Sequence, residues 1–177
     1  MVMGRPLPPQ RDLTPSAFVR TYAEKMMRAA QGRPILDVAC GSGRNGWHLA
    51  SLGCDVVFAD RDLISLHDRA RCACIEIDLN RDPWPFGPNT LGGIVNVHFL
   101  LPSLFPQFAA SLSPGGYLLL ETVPGCGHNY VELPRAGNLR QELLKDFTFE
   151  EYRERTVGPP GCGAVTVRLL ARKDSEK

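Results

Sequence analysis

Apolar residues first recur along the chain with the spacing of a helix. Phe18, Tyr22 and Met26 follow one another every four residues, which places them on one face of an amphipathic helix. Thr14 is the predicted N-cap, with a proline at the first helical position, and the helix is expected to end at Gln31, before a glycine. This apolar face must cover another apolar surface, so the pattern predicts a helix packed on the body of the protein.

Short apolar runs then alternate with helical patterns as far as residue 123. The predicted strands are residues 34–39, 55–59, 72–77, 93–97 and 116–123, and the predicted helices between them are residues 44–52, 63–70 and 104–112. Strands that alternate with helices in this way are parallel strands joined by crossover helices. The pattern therefore predicts an α/β fold built on one sheet.

The alternation ends in the C-terminal part of the chain. A short helix over residues 139–145 is followed by predicted strands at 147–155 and 164–171. The connection between these strands, residues 156–163, is too short for a crossover helix. We therefore expect an antiparallel hairpin on an otherwise parallel sheet.

Length and composition fit a single domain. A chain of 177 residues with 44% apolar content buries about 70% of the surface of its unfolded form, which is enough for one sizeable core. The proline-rich residues 1–13 are expected to form a flexible arm. Residues 14–177 are expected to form the domain, opening with the helix of residues 14–31.

The charge distribution indicates which kinds of partner the protein can bind. Residues 34–133 carry five basic and ten acidic side chains, which suits a cationic small molecule and argues against a nucleic-acid groove. No apolar run approaches the roughly 20 residues that a membrane-spanning helix requires, and the N-terminus lacks the apolar core of a signal peptide. The six cysteines form no C-x-x-C pair and are expected to be free thiols. A cytoplasmic protein without nucleic-acid or membrane partners is the resulting expectation.

A glycine-rich turn lies between the first predicted strand and its helix. Gly41, Gly43 and Gly46 satisfy the pattern G-x-G-x-x-G, a tight turn that lets a ligand lie against bare backbone at a helix N-terminus. Asp60 ends the second strand, 17 residues after Gly43, where a carboxylate can accept hydrogen bonds from ribose hydroxyls. Nicotinamide dinucleotides and S-adenosylmethionine both carry such a ribose, so these residues alone do not choose between them.

Three further features favour S-adenosylmethionine. Asp37, just before the turn, would repel a pyrophosphate but attract an amino group. Asp78 follows the third strand, where a carboxylate can take the adenine amino group, with Leu79 and Trp84 near enough in sequence to pack on the ring. The C-terminal hairpin is usually absent from dinucleotide domains, and no residues remain for the second domain that a dehydrogenase commonly needs.

Four segments resemble successive motifs of class I S-adenosylmethionine-dependent methyltransferases. They are PILDVACGSGRNG, VVFADRD, EIDLN and SLSPGGYLLLET, and the resemblance covers residues 33–173. The run VNVHFLLPSLFPQFAASLSPGGYLLLETV and the later NYVELPRAGNLRQELLKDFTFEEYRER further resemble small bacterial methyltransferases of the tellurite-resistance type. Two residues depart from the pattern: Ala39 replaces a usual glycine, and Asn138 replaces an acid common at the start of the last helix.

The resemblance implies a Rossmann-like, doubly wound sheet of seven strands in the order 3-2-1-4-5-7-6, with strand 7 antiparallel. It also implies that Asp37 and the glycine turn face the methionine part of the cofactor, Asp60 the ribose and Asp78 the adenine. The residues expected to bind S-adenosylmethionine are Asp37, Cys40, Gly41, Ser42, Gly43, Asn45, Asp60, Arg61, Asp78, Leu79 and Asn96.

Residues just past the fourth strand face the transferred methyl group in that family. His98 lies there, and because its pKa is near neutrality it is the candidate general base. The residues expected to line the acceptor pocket are Tyr22, His98, Phe99, Glu121, Asn129 and Tyr130. No metal site is expected, because Cys126 and His128 supply only two ligands.

The sequence thus predicts methyl transfer from S-adenosylmethionine to a small-molecule acceptor, by in-line displacement at the sulfonium methyl group. Two other functions stay open at this point. A methyltransferase-like module that binds cofactor without catalysis would explain the lack of an unmistakable catalytic residue. An NAD-binding oxidoreductase would explain the intact G-x-G-x-x-G.

Overall fold

The chain was analysed as a computed structural model, which describes residues 13–122 and 133–174. The helices are α1 (Ala17–Ala30), α2 (Arg44–Ser51), α3 (Phe105–Ser111) and α4 (Asn138–Leu143). The strands are β1 (Ile35–Val38), β2 (Val56–Asp60), β3 (Ala73–Glu76), β4 (Leu91–Val97), β5 (Leu112–Glu121), β6 (Phe147–Thr156) and β7 (Val165–Lys173). Single 3-10 turns occupy Leu63–Ser65, Arg69–Arg71 and Pro102–Leu104.

The seven strands form one sheet in the order β3-β2-β1-β4-β5-β7-β6. Strands β1 to β5 pair in parallel, and β7 runs antiparallel to both β5 and β6. The predicted order and the C-terminal hairpin are therefore confirmed. The order of the strands reverses at β1, because β2 and β3 lie on one side of it and β4 and β5 on the other. The turn after β1 therefore opens at the point where the strand order reverses.

Both faces of the central sheet are covered. Neighbouring residues Ile94 and Val95 of β4 point to opposite faces, and each is fully buried. Ile94 belongs to a core that includes apolar residues of α3 and α4, whereas Val95 belongs to a second core with α1 and α2. Burial on both faces explains why the parallel strands are continuous apolar runs in the sequence.

The end of α1 packs closely on the sheet at Gly92. A Cβ atom at this position would lie 2.6 Å from the Cα atom of Ala30. Only glycine therefore allows the helix to approach the beginning of β4 so closely. This glycine lies inside the strand, which begins two residues earlier than the prediction of 93–97.

The predicted N-cap of the first helix is wrong. The cap is Ser16, whose hydroxyl accepts the amide of Phe18 at 3.1 Å. Thr14 and Ser16 are both good capping residues, but Ser16 also makes contacts with the rest of the fold. Its backbone amide donates to Asn45 Oδ1 at 2.9 Å, and its hydroxyl donates to the Glu121 carboxylate.

The predicted helix over residues 63–70 is also wrong. Two 3-10 turns replace it, and Asp68, between them, has a left-handed backbone with φ of 55°. Only Leu63 and Leu66 of this segment are buried, while Ile64 is 82% exposed. Leu63 and Leu66 are three residues apart and can hold a single turn, but the segment has no longer apolar face that a helix could bury.

The five cysteines within the described residues are free, as predicted, and Cys126 lies outside them. No helix in this part of the chain is both long and apolar enough to cross a membrane.

Candidate functional site

The glycine turn lies at the carboxyl edge of the sheet, between β1 and α2. Gly41 and Gly43 have left-handed backbones, with φ of 55° and 78°. A Cβ at Gly43 would lie 2.6 Å from the side chain of Leu66, whereas one at Gly41 would meet no atom within 4 Å. The turn thus packs against the protein at Gly43 and leaves open space at Gly41.

Asp37 joins the strand to the helix beneath this turn. Its side chain is 1% exposed, and Oδ2 accepts the backbone amide of Gly46 at 2.8 Å. Burial raises the pKa of Asp37 to about 7, although the Gly46 hydrogen bond and the nearby Arg44 oppose the shift. The protonation of this carboxyl group therefore changes near neutral pH.

Asp60 holds the other side of the turn. Its Oδ2 accepts the amide of Gly41 at 2.8 Å, and its Oδ1 accepts the amide of Asp62 at 3.1 Å. A carboxylate has about four acceptor positions, so Asp60 retains capacity for a ligand hydroxyl. The carboxylate is placed where β2 ends, beside the open space at Gly41.

A cleft of about 370 Å³ opens next to Asp60. It is lined by Ala39, Asp60, Arg61, Ile77, Asp78, Leu79, Asn80 and Phe99. The cleft therefore brings together four of the predicted cofactor-binding residues, from the ends of β2 and β3, with one predicted pocket residue, Phe99.

Asp78 stays ionised at the rim of this cleft. Its Oδ1 accepts the backbone amide of Asn80 at 3.0 Å and the side-chain amide at 3.2 Å, and these bonds lower the pKa of Asp78. Sequence reasoning missed Asn80, although an Asn two residues after an Asp is a usual turn partner.

Trp84 packs against α3. Its ring centroid is 5.3 Å from that of Phe108 on α3, and its indole nitrogen donates to Ser111 Oγ at 2.7 Å. Trp84 is not among the residues that line the cleft, and its packing on an adenine ring stays a prediction. The indole needs both an apolar surface and an acceptor, and α3 supplies them.

The side-chain amide of Asn96 is buried at the end of β4. The residue is 1% exposed, and neither its amide nitrogen nor its amide oxygen has a partner in the part of the chain that the structure describes. In register it lies beside Val38, the last residue of β1. An unpartnered buried amide costs about 1–3 kcal/mol per group, which is a reason to expect a ligand there.

His98 begins the loop after β4 with a strained backbone. Its φ is 69°, a left-handed conformation that non-glycine residues seldom adopt, and its amide donates to the carbonyl of Glu121 at 2.8 Å. Partial desolvation, followed by the charge of Arg44, lowers the pKa of His98, while Glu121 opposes the shift. The imidazole is therefore neutral at pH 7 and able to accept a proton.

Glu121 is engaged in contacts within the protein. It is 4% exposed; Oε1 accepts Arg168 Nε at 2.6 Å, and Oε2 accepts the Ser16 hydroxyl. These bonds tie the beginning of α1 to β5 and β7. Sequence reasoning assigned Glu121 to the acceptor pocket and missed both partners, which lie 105 and 47 residues away along the chain.

The structure turns Tyr22 toward the C-terminal hairpin. Its hydroxyl donates to the Glu151 carboxylate on β6, and its ring packs edge-on against Phe18. Two other predicted residues, Cys40 and Ser42, lie in the glycine turn, where burial raises the pKa of the Cys40 thiol. The predicted pocket residues Asn129 and Tyr130 lie outside the described residues, as do Cys126 and His128.

Residues 13–122 and 133–174 contain no group of three or more side chains placed to hold a metal ion.

No protein-family model and no curated protein matches the sequence. Solved structures match its fold. TehB from Haemophilus influenzae is 21% identical, with a TM-score of 0.63 over 87% of this chain and 62% of its own length. An S-adenosylmethionine-dependent methyltransferase from Mesorhizobium loti is 17% identical, with a TM-score of 0.63 over 89% of this chain and 99% of its own.

A third structure carries ligands. The 1,6-didemethyltoxoflavin-N1-methyltransferase of Burkholderia thailandensis, with 1,6-didemethyltoxoflavin and S-adenosylhomocysteine bound, is 19% identical and has a TM-score of 0.58. The match covers 90% of this chain and 79% of that one. Together with the strand order, these likenesses show that the chain has the fold of the S-adenosylmethionine-dependent methyltransferases.

Proposed function

We propose that the protein binds S-adenosylmethionine and transfers its methyl group to a small-molecule acceptor. The observation that carries the proposal is the cleft beside Asp60, at the point where the strand order reverses, with the bare backbone of Gly41 facing open space. Support comes from the methyltransferases that share the fold, one of which holds S-adenosylhomocysteine and a small acceptor.

The residues present fit this cofactor. Asp60 would accept the ribose hydroxyls, and Asp78 would accept the adenine amino group while Leu79 and Ile77 pack on the ring. The unpartnered amide of Asn96 would hydrogen-bond the ligand near the transferred methyl group. Asp37, under the turn, would supply negative charge for the amino group of the methionine part when it is ionised, above its pKa of about 7.

The same geometry disfavours a nicotinamide dinucleotide. A pyrophosphate at a glycine turn takes backbone amides at the helix N-terminus. Here the backbone amide of Gly41 donates a hydrogen bond to Asp60, and that of Gly46 donates one to Asp37. Two carboxylates thus occupy the amides that a pyrophosphate would need, and their charge would repel it.

The sulfonium of the cofactor supplies an already activated methyl group. The chain has to align the acceptor and exclude water, and such positioning can be worth about 7–11 kcal/mol. His98 would take a proton from an acceptor that arrives protonated, since its lowered pKa keeps the imidazole neutral at pH 7. Phe99, which lines the cleft, would shield the reacting atoms from solvent.

Free thiols suit a reducing compartment, so a cytoplasmic location is part of the proposal. A small molecule is proposed as the acceptor because the acidic centre of the chain disfavours nucleic acid.

Calorimetry tests the binding half of the proposal. We expect S-adenosylhomocysteine to bind and NAD to give no heat of binding. Asp60→Ala should weaken the binding of S-adenosylhomocysteine by about 10-fold or more, because it removes the side chain that would accept the ribose hydroxyls. Asp55→Ala, an exposed carboxylate away from the cleft, is the matched control. Absence of binding to the wild-type protein would refute the proposal.

Turnover tests the second half. The purified protein, given S-adenosylmethionine with a labelled methyl group and pools of small metabolites, should label a low-molecular-mass product. Binding of the cofactor without turnover in any pool would instead favour a non-catalytic binding module. His98→Gln should lower the turnover of an acceptor that is protonated at neutral pH and leave cofactor affinity unchanged.

A further inference from the structure

Cys72 and Cys74 place two thiols on one face of β3, at the edge of the sheet. Cys72 directly precedes the strand with an extended backbone, and Cys74 lies two residues later, so both side chains point to the same face. Both are half-buried and pack on the core that includes α2, whereas Ile75 packs on the core of the other face. The chain thus holds a pair of neighbouring thiols that the proposed methyl transfer does not use.

The Cys72 thiol carries its proton and interacts with Cys74. It donates to the backbone carbonyl of Arg69 at 3.5 Å. Burial raises the pKa of Cys72, and the nearby Cys74 side chain, which also hydrogen-bonds to it, raises that pKa further. Cys72 is therefore a neutral thiol at pH 7.

A cavity of about 370 Å³ opens beside this pair. Pro34, Asp55 and Cys72, which precede β1, β2 and β3, all line it, so it lies at the amino edge of the sheet. Its walls include Trp47 of α2 and Phe58 of β2, whose ring centroids are 4.9 Å apart. The cofactor cleft opens at the opposite, carboxyl edge. The cavity is therefore separate from the proposed active site and offers aromatic surface next to a thiol.

Neutral, paired thiols favour one class of thiophilic ligand. A metal ion binds thiolates, so it must displace the thiol protons, and a raised pKa opposes this step. Among the described residues, no three or more side chains are placed to hold such an ion. A trivalent arsenic that carries hydroxyl groups avoids the first difficulty, because each hydroxyl group leaves as water with a thiol proton. It avoids the second because two thiols and one organic group complete its three bonds.

We propose that Cys72 and Cys74 together bind a trivalent arsenical that carries one small organic group, with this group in the adjacent cavity. Two As–O bonds and two S–H bonds break, two As–S bonds form, and two molecules of water are released. The arsenic stays trivalent, so the step needs no oxidant or reductant. Because the second As–S bond forms within one site, the pair should hold the arsenical far more firmly than either thiol alone.

Phenylarsine oxide, which is hydroxylated in water, is the probe. The reduced wild-type protein is incubated with it and analysed by intact-mass spectrometry and by titration of the remaining thiols. We expect a single adduct, heavier by one phenylarsenic group less two hydrogens, and the loss of two titratable thiols. The adduct should survive a monothiol at about 1 mM and be removed by a 1,2-dithiol.

Serine variants identify the thiols that hold the arsenical. Cys72→Ser and Cys74→Ser should each weaken its retention in the monothiol by about 100-fold or more, because only one As–S bond remains. Cys162→Ser, which changes a half-buried thiol between β6 and β7, is the matched control and should behave as the wild type. Cys54→Ser changes the other thiol that lines the cavity and should also retain the arsenical.

Thermal unfolding followed by circular dichroism establishes that each variant is folded at the temperature of the incubation. Cys72→Ala and Cys74→Ala replace a serine variant that is not, since alanine buries no hydroxyl group at these half-buried positions.

Three results would overturn the inference. A wild-type adduct that the monothiol removes readily would mean that the thiols react singly. Full retention in the folded Cys72 or Cys74 variant would place the binding pair elsewhere in the chain. Loss of retention in Cys54→Ser, equal to that in Cys72→Ser, would assign the arsenical to the two thiols of the cavity instead. None of these results depends on binding of S-adenosylmethionine, so the proposed function is tested separately.

Discussion

The carboxyl edge of the sheet and the C-terminal hairpin handle polar groups in opposite ways. At the edge, Asp37 and Asn96 are each 1% exposed, one with a raised pKa and the other without a partner in the described part of the chain. On the hairpin, the carboxylates of Glu150 and Glu151 pair with Lys25 and Tyr22 of α1. The carboxyl edge therefore bears the free-energy cost of buried polar groups that are unpartnered or have a shifted pKa, whereas these carboxylates of the hairpin are paired.

Positive φ at non-glycine residues occurs at the carboxyl edge and not on the hairpin. Ala39 and His98, at the ends of β1 and β4, have φ of 50° and 69°, whereas the non-glycine residues of β6, β7 and their connection have no positive φ. Gln31, Asp68 and Asn89, in turns that precede strands, also have positive φ. At a proposed binding edge, the free energy of ligand binding can offset strain and buried polar groups. Substitutions at the edge should accordingly change stability and ligand affinity in opposite directions, unless the residue is already paired.

The largest expected effect comes from Glu121, the paired exception. Glu121→Ala leaves the buried Ser16 hydroxyl without its acceptor, whereas Arg168, whose side chain is 54% exposed, turns to solvent, so we expect a loss of up to about 3 kcal/mol in the free energy of unfolding. Glu154→Ala on the exposed part of β6 should cost about 1 kcal/mol or less. Urea unfolding measures both. Similar losses for the two variants would contradict the division between edge and hairpin.

Asp37→Asn should make the stability of the protein less dependent on pH. An unfolded aspartate has a pKa of about 3.9, whereas Asp37 has a pKa of about 7 in the fold. The native state therefore holds an extra proton between these values, and its stability falls as pH rises toward 7, by at most about 1.4 kcal/mol per pH unit. Asparagine keeps an acceptor for Gly46 and removes this fall.

Stability curves at pH 5, 6 and 7 would measure this effect. From pH 5 to pH 7, the free energy of unfolding of the wild-type protein should fall by roughly 2 kcal/mol more than that of Asp37→Asn. Affinity for S-adenosylhomocysteine should fall in the same variant, and in the wild-type protein it should fall as pH drops below 7. A parallel pH dependence of the two proteins would mean that Asp37 is ionised throughout the range.

Asn96→Leu should stabilise the protein by roughly 1 kcal/mol, because it replaces an unpartnered buried amide with an apolar group of similar size. Affinity for S-adenosylhomocysteine should decrease in this variant. Thermal unfolding and calorimetry on one preparation measure both quantities. A destabilised variant would imply that the amide of Asn96 is hydrogen-bonded without ligand.

Ala39→Gly should give the smallest effect, a gain of roughly 0.5 kcal/mol. Glycine relieves the left-handed strain at φ of 50°, and its greater freedom in the unfolded chain cancels part of that gain. Ala109→Gly on α3, an ordinary helical position, should instead lose about 1 kcal/mol. Opposite signs for these two changes, measured by urea unfolding, would locate the strain in the turn.

The sequence predicted most of the parallel strands well because they are runs of apolar residues bounded by turns. The exception is β5, which begins at Leu112, four residues before the predicted start at 116 and at the last residue of the predicted helix 104–112. The prediction of a helix over residues 63–70 was wrong because only Leu63 and Leu66 of this segment are buried, which is enough to hold a single turn. The spacing of these residues in the sequence does not show that the rest of the segment makes few contacts. The cap at Ser16 was missed for a related reason. Thr14 and Ser16 are equivalent locally, and contacts with Asn45 and Glu121 decide between them.

The candidate site was predictable where position in the motif and chemistry agree. Asp60 and Asp78 lie at strand ends, and the structure brings both to one cleft. The contacts of Glu121 could not be predicted, because its partners Ser16 and Arg168 lie far from it along the chain and only three-dimensional proximity shows them.

The anchoring of Ser16 on Asn45 and Glu121 has a practical consequence for handling the protein. Because Glu121 ends β5, Ser16 lies at the carboxyl edge of the sheet, the same edge at which the cleft opens. Strand β7 is antiparallel to β5 and ends at Lys173, beside Phe147, at the opposite edge of the sheet. A tag for titration or crystallisation therefore belongs at the C-terminal end of the chain.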